Sequence, residues 1–211
     1  MKPVCVVTGA AQGIAFAVCQ ELAAQGWDVA MCDVQELSKW AGAVEEVRGL
    51  GADARAYQVD IGNSPSVAAA AAAIDKDFPG RVKGLANVAG IVSRTTPGEE
   101  SDDEWARHLN INVVGTARVT KFIAPLMAQA GGGGIVTISS LAARFGAEAA
   151  ALCYTAAKAA LIGMSKQFAK MYAKQGIRSN CIAPGPVQTP MLDWDEATRE
   201  RFRNATLLKR I

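Results

Sequence analysis

Short apolar runs alternate along this chain with longer stretches of helical periodicity. Val4–Thr8 (VCVVT) is apolar throughout and predicts a strand buried on both faces. Gly13–Gln25 follows, with Ile14, Ala17, Val18 and Leu22 at helical spacing. The alternation then repeats. Asp28–Cys32, Ala54–Val59, Val82–Asn87, Ile135–Ser139 and Ile177–Ile182 read as strands. Between them, Glu36–Leu50, Ser64–Asp77, a long helix from Ser101 to Ala130, and Leu152 to Lys174 read as helices. The alanine run Ala68 to Ala73 falls inside the third helix, and alanine is the best helix former. The SDDE at 101–104 suits a helix start, by capping and by the dipole. Gly176 is placed to end the last long helix.

Six strand–helix alternations argue for an α/β fold, a Rossmann-type doubly wound parallel sheet with helices on both faces in three layers. No linker, repeat or change of composition divides the chain, so residues 1–211 are expected to form a single dinucleotide-binding domain. The formal charge is +2, from 22 basic and 20 acidic residues, which offers no basic patch for nucleic acid. The longest apolar runs are too short for a membrane span or for the core of a signal peptide. The five cysteines form no C-x-x-C pair and are expected as buried free thiols in a reducing, cytoplasmic setting. With a single histidine, His108, a His-rich zinc site is excluded, no metal site is expected, and His108 is expected to cap or decorate a helix.

In a doubly wound sheet, ligands bind beyond the carboxyl ends of the strands. The segments there are informative. TGAAQGIAFA (8–17) carries Gly9 and Gly13 in a turn feeding a helix; glycine allows close approach to a pyrophosphate, and the helix start favours anionic oxygens. Asp33 lies about 20 residues beyond that turn, where a carboxylate can hold a ribose diol. It would repel a 2′-phosphate, so NAD is expected over NADP. Asp60 and Ile61 suit an adenine edge. NVAGI (87–91) is small enough to pass close to a cofactor, Ser139 and Ser140 follow the fifth strand, and APGPVQTP (183–190) forms a rigid loop after the sixth. In ALCYTAAKAALIG (151–163), Tyr154 and Lys158 stand four residues apart and share a helix face.

Taken together, TGAAQGIA, NVAG, Asn112 in NINVVG, Ser140 and YTAAK resemble the short-chain dehydrogenase/reductase family, of its shorter type, over the whole chain. Ala15 and Val88 stand where the family pattern has glycine and asparagine. The resemblance extends to bacterial 3-oxoacyl carrier-protein reductases and to sugar and polyol dehydrogenases. It implies an NAD(P)-dependent oxidoreductase that moves a hydride between a nicotinamide and a secondary alcohol or ketone. Tyr154 would be the general acid/base, its pKa lowered by the Lys158 cation. Ser140 would hold the substrate oxygen, with Ser139 the second candidate because the spacing to Tyr154 is one residue longer than the pattern. Asn112 would support a water relay to Lys158. The cofactor would meet Gly9, Gln12, Gly13, Ile14, Asp33, Asp60, Ile61, Asn87, Ala89, Gly90, Tyr154, Lys158, Pro184, Gly185, Val187 and Thr189. Residues 91–96, 144–152 and 191–211 would line the substrate side, with 193–204 as a charged lid helix. Relatives carry one more strand than this pattern contains, and that strand commonly supports a dimer or tetramer. Two alternatives stay open: an inactive dinucleotide-binding sensor or scaffold, and a 3-oxoacyl carrier-protein thioester as substrate.

Overall fold

A computed structural model describes residues 1–93, 95–147, 150–190 and 195–210. Six parallel strands make one sheet in the order β3-β2-β1-β4-β5-β6. They are β1 (Val4–Thr8), β2 (Asp28–Asp33), β3 (Ala54–Gln58), β4 (Val82–Asn87), β5 (Gly133–Ile138) and β6 (Ile177–Ile182). The helices are α1 (Gly13–Ala24), α2 (Ala41–Gly49), α3 (Ser64–Asp77), α4 (Asp102–His108), α5 (Thr116–Gln129), α6 (Ala142–Phe145), α7 (Leu152–Met171) and α8 (Glu196–Ala205). Among the described residues none of them is long and apolar enough to cross a membrane.

The strand alternation builds two cores. Val4 and Val6 of β1 point into one, with Phe78, Ile123 and Met127. Cys5 and Val7 point into the other, with Cys19, Met31 and Val47. Every residue of β1 and β2 is buried, as a central parallel strand requires. Cys5, Cys19, Cys32 and Cys153 are buried free thiols, and Cys181 is half-buried. Burial pushes Cys5 and Cys32 up to about 12.

Four departures from the sequence pattern have local causes. The expected helix 36–50 is broken at Trp40 (φ −134°), whose indole Nε1–H donates to the Gln35 carbonyl at 3.3 Å and whose ring is buried. A 3-10 turn (Leu37–Lys39) precedes that break. The expected helix 101–130 does run through, but Leu109–Gly115 is a π-helical segment between α4 and α5. The helix expected to reach Lys174 ends at Met171 and passes through a 3-10 turn to Gly176, in the left-handed conformation at φ +72°. Helix α6 was not foreseen in the segment after β5. The start of α4 follows expectation, with the Ser101 hydroxyl accepting from the Glu104 N–H at 3.2 Å.

The π segment brings Gly115 against the end of β3. A Cβ on Gly115 would lie 3.0 Å from Ile61 Cγ1 and 3.1 Å from the Ile61 carbonyl oxygen. Gly115→Ala is therefore expected to cost about 1–3 kcal/mol by overpacking. Urea unfolding checks this; an unchanged midpoint would mean the segment yields freely.

Candidate active site

Strand order reverses between β1 and β4, and a cleft of about 530 Å³ opens at the carboxyl ends there. Gly9 (φ +75°) and Gly13 (φ +61°) shape its floor. A Cβ on Gly9 would stand 3.0 Å from the Ala89 Cα, so only glycine lets the first turn lie flush on the loop after β4. The Thr8 hydroxyl ties these two segments, accepting from the Val88 and Ala89 N–H groups at 3.1 Å each. Gln12 stands at the N-cap of α1 with no side-chain cap bond, and the first turn has no acidic residue. The leading N–H groups of α1 thus have no side-chain acceptor at the cleft floor, a setting that fits a dinucleotide phosphate.

Asp33 lines the same cleft. Its carboxylate accepts from the Ala11 N–H at 3.1 Å and the Gln35 N–H at 3.0 Å, which orients it while leaving lone pairs. Asp60 and Ile61 line the wall beyond β3, with Asp60 Oδ1 held by the Gly62 N–H at 2.8 Å. Pro184, Gly185, Val187 and Thr189 form the opposite wall. Gln12, Gly13, Ile14, Ala89 and Gly90 are also brought to the cleft.

Tyr154 and Lys158 project into it from α7. The Glu100 carboxylate accepts from the Leu152 N–H and so caps this helix from the loop before α4. Lys158 is buried; its ammonium donates to the Ile138 carbonyl at 2.9 Å and lies over the Tyr154 ring, 5.9 Å from the centroid. Burial lowers its pKa to about 8. Tyr154 does not follow expectation. Burial pushes its phenol up, and the offsetting influence is a hydrogen bond with Ser140, not the Lys158 charge. The ammonium sits over the ring and not at the hydroxyl. Ser140 is thus the serine brought to Tyr154. Ser139 is buried and turned away, its hydroxyl donating to the Lys158 carbonyl at 2.6 Å.

Two expected residues do not reach the cleft. Asn87 is buried, with Nδ2 donating to Thr120 Oγ1 at 3.1 Å, because the strand pleat directs it towards α5. Asn112 is buried in the π segment. Its Oδ1 accepts from the Ile91 N–H at 2.8 Å and its Nδ2 donates to the Ile91 carbonyl at 3.0 Å. Asn112 thereby fixes the loop after β4, and its main-chain carbonyl accepts from the Thr116 hydroxyl at 2.8 Å. Gly90 makes room for this arrangement: a Cβ there would stand 2.7 Å from Asn112 Oδ1.

His108 is not on the surface but is 1 % exposed, because the π segment turns that end of α4 inward. Ile91 lines the cleft, whereas no described residue of α8 does. Arg94, residues 148–149, the lid start at 193–194, the rest of 191–194 and Ile211 lie outside the described residues. Ile111, Ile138, Gln35 and Arg107 also line the cleft and were not foreseen. Ile138 and Gln35 adjoin expected positions. Arg107 reaches it from the last turn of α4 and Ile111 from the π segment, which the sequence pattern does not announce.

A buried ammonium is costly to fold. Lys158→Met keeps the stem and removes the charge, so it is expected to raise stability by about 1–3 kcal/mol while cofactor affinity falls. The folded pKa lies below the ordinary 10.5, so the wild type carries the full penalty below pH 8 and loses it as pH rises towards 10.5. Urea unfolding of both proteins at neutral and alkaline pH checks the sign. A variant less stable at neutral pH would mean that the bond to Ile138 outweighs the burial.

The family model for short chain dehydrogenase matches residues 3–200. The oxidoreductase UcpA of Escherichia coli (strain K12) is 35% identical over 189 residues, 89% of this chain and 70% of its own length. Among solved structures, NAD+-bound xylitol dehydrogenase aligns with a TM-score of 0.82 at 32% identity, over 87% of this chain and 70% of that one. A variant of actinorhodin polyketide ketoreductase with NADPH aligns with a TM-score of 0.90 at 28% identity, over 99% and 84%. With the sheet order, the glycine turn and the Tyr154–Lys158 helix, these matches place the chain in the short-chain dehydrogenase/reductase family.

Proposed function

We propose that this protein is an NAD-preferring oxidoreductase acting on a secondary alcohol or ketone, with Tyr154 as general acid/base. The observation that carries the reading is convergence. Tyr154, Lys158 and Ser140 line the same cleft as the uncapped start of α1 and the Asp33 carboxylate. A nicotinamide dinucleotide would lie along Gly9, Gln12, Gly13 and Ile14, with Asp33 at its adenosine ribose, Asp60 and Ile61 at its adenine, and Val187 and Thr189 at its carboxamide end. When bound, it supplies or accepts the hydride.

The chain's own residues handle the proton and the geometry. A phenol pushed up by burial stays protonated at neutral pH, which suits Tyr154 to donate to a carbonyl oxygen as negative charge develops on it. Ser140, bonded to the same phenol, adds a second donor for that oxygen. Lys158 is held close to Gly90 and the Ile138 carbonyl, in position for the ribose hydroxyls beside the reacting ring. Asn112 is a positioning residue that locks the Ile91 backbone beneath the substrate. In alcohol oxidation the same groups run in reverse, with Tyr154 accepting the proton. Asp33 favours NAD, since its carboxylate would face a 2′-phosphate across the adenosine end. The NAD+-bound xylitol dehydrogenase neighbour supports a polyol among the substrates to try, and the ketoreductase neighbour supports a ketone.

NADH and NADPH titrations by fluorescence, followed by a nicotinamide-absorbance screen of polyols, secondary alcohols and ketones, test the reading. Tighter NADH binding with turnover of a panel member is expected; absence of dinucleotide binding would overturn it. Tyr154→Phe is expected to bind NADH like the wild type and lose at least about a hundredfold in kcat. Near-wild-type turnover in that variant would remove Tyr154 from the mechanism. Asp33→Ala should narrow the NADH-over-NADPH preference about tenfold or more, one lost charged contact being worth about 1.5–3 kcal/mol. An unchanged ratio would show that Asp33 does not select the cofactor.

A further inference from the structure

Behind Tyr154, and off the cleft, three side chains of metal-ligating chemistry come together. Glu104 and His108 lie four residues apart on one face of α4. Cys153 stands in the first turn of α7, which packs against α4. One ligand atom from each falls within 4.8 Å of the other two. His108 and Cys153 are buried, and Glu104 is half-buried. We propose that Glu104, His108 and Cys153 form a site for a borderline-soft divalent cation, Zn2+ foremost.

The state of the imidazole is the independent sign. His108 Nδ1 lies 2.9 Å from the Glu104 main-chain carbonyl oxygen, and a carbonyl can only accept, so Nδ1 carries the proton. Nε2 is then left with a bare lone pair. It is fully buried and has no hydrogen-bond partner among the described residues. A buried lone pair without a donor is costly, and a cation answers it. The carboxylate is prepared in the same way. Glu104 accepts from the Ser93 hydroxyl, and both its oxygens accept from the Thr95 hydroxyl at 2.9 and 2.8 Å. These bonds orient the carboxylate towards the cluster's side of α4. Outer-shell partners that fix the tautomer of a histidine and the rotation of a carboxylate are the usual companions of metal ligands.

The donor set selects the ion. A thiolate, an imidazole and one carboxylate disfavour Mg2+ and Ca2+, which want oxygen only, and suit Zn2+ or Co2+. Ligand bonds of about 2.0–2.3 Å put tetrahedral ligand atoms roughly 3.3–3.7 Å apart, so the side chains must close by about 1 Å. Three protein ligands leave a fourth position for water. The Cys153 thiol releases its proton to solvent as the sulfur–metal bond forms. Occupancy would tie α4, the hydroxyls of Ser93 and Thr95 and the start of α7 into one unit immediately before Tyr154. The site does not depend on the proposed hydride chemistry.

Co2+ replaces Zn2+ as the probe, added to the full-length chain after chelator treatment and dialysis. One equivalent is expected to bind, with a thiolate-to-cobalt charge-transfer band and the visible bands of a four-coordinate ion, both abolished by an equivalent of Zn2+. Cys153→Ser is expected to lose the charge-transfer band. Glu104→Gln is expected to keep that band and weaken binding by about 10–100-fold or more, at least what loss of an orienting partner costs. Circular dichroism checks that each variant is folded. No charge-transfer band in the wild type, or the same band in Cys153→Ser, overturns the proposal, since another thiol would then hold the ion. If Cys153→Ser does not fold, Glu104→Gln decides: unchanged affinity overturns the site and weakened affinity supports it.

Discussion

The reversal of strand order between β1 and β4 is the constraint from which the site follows. Every strand is parallel, so every carboxyl end points the same way. The connections after β1 and β4 depart to opposite faces of the sheet, and the chain leaves a crevice between them. The Thr8 hydroxyl spans that divergence by accepting two backbone N–H groups from the β4 loop. The glycines at 9, 13 and 90 then remove the side chains that would fill the gap. The cleft is thus a property of topology first and of residue choice second. Residues from all six strand ends meet there because the parallel sheet presents them on one side.

Within that crevice the chain accepts a cost. Lys158 is placed where its charge is poorly solvated, with the Ile138 carbonyl as its partner. A structural lysine would lie along the surface and keep its head in water. Tyr154 is half-buried beside it, with Ser140 as the group that favours its anion. Burial thus drives the two titrations apart within one cavity, the phenol upward and the ammonium downward, each favouring its neutral form. Metal-type ligands at Glu104, His108 and Cys153, none of which lines the cleft, add a second polar cluster to the same helix start.

Much of this was legible in the sequence because it is written in local patterns. Six apolar runs located all six strands, and the glycine turn, Asp33 and the Tyr154–Lys158 spacing located most of the cleft wall. Most of the failures come from side-chain contacts that hydrophobic periodicity does not encode. Trp40 breaks a well-patterned helix because its indole finds the Gln35 carbonyl and a core pocket, which periodicity cannot foresee. Asn87 and Asn112 have the same side chain near the same cleft, yet one turns to Thr120 and the other to Ile91. Only the folded backbone decides between those partners. His108, expected to cap or decorate a helix, instead sits buried on α4 beside Cys153 of α7.

That π segment has a consequence for how the sequence can change. An α-helix advances about 100° per residue, so any gain or loss of one residue rotates everything on one side of it relative to the other. The wide turn at Leu109–Gly115 accommodates the register at which Glu104 and His108 meet Cys153 of α7 while Val119 and Ile123 enter the core. Loss of a single residue there would let the helix close to regular α geometry, and the feature given up would be the wide turn that seats Gly115 against Ile61 and Asn112 against Ile91. The extra residue is thus tied to the shape of the cleft wall and not to the continuity of the helix.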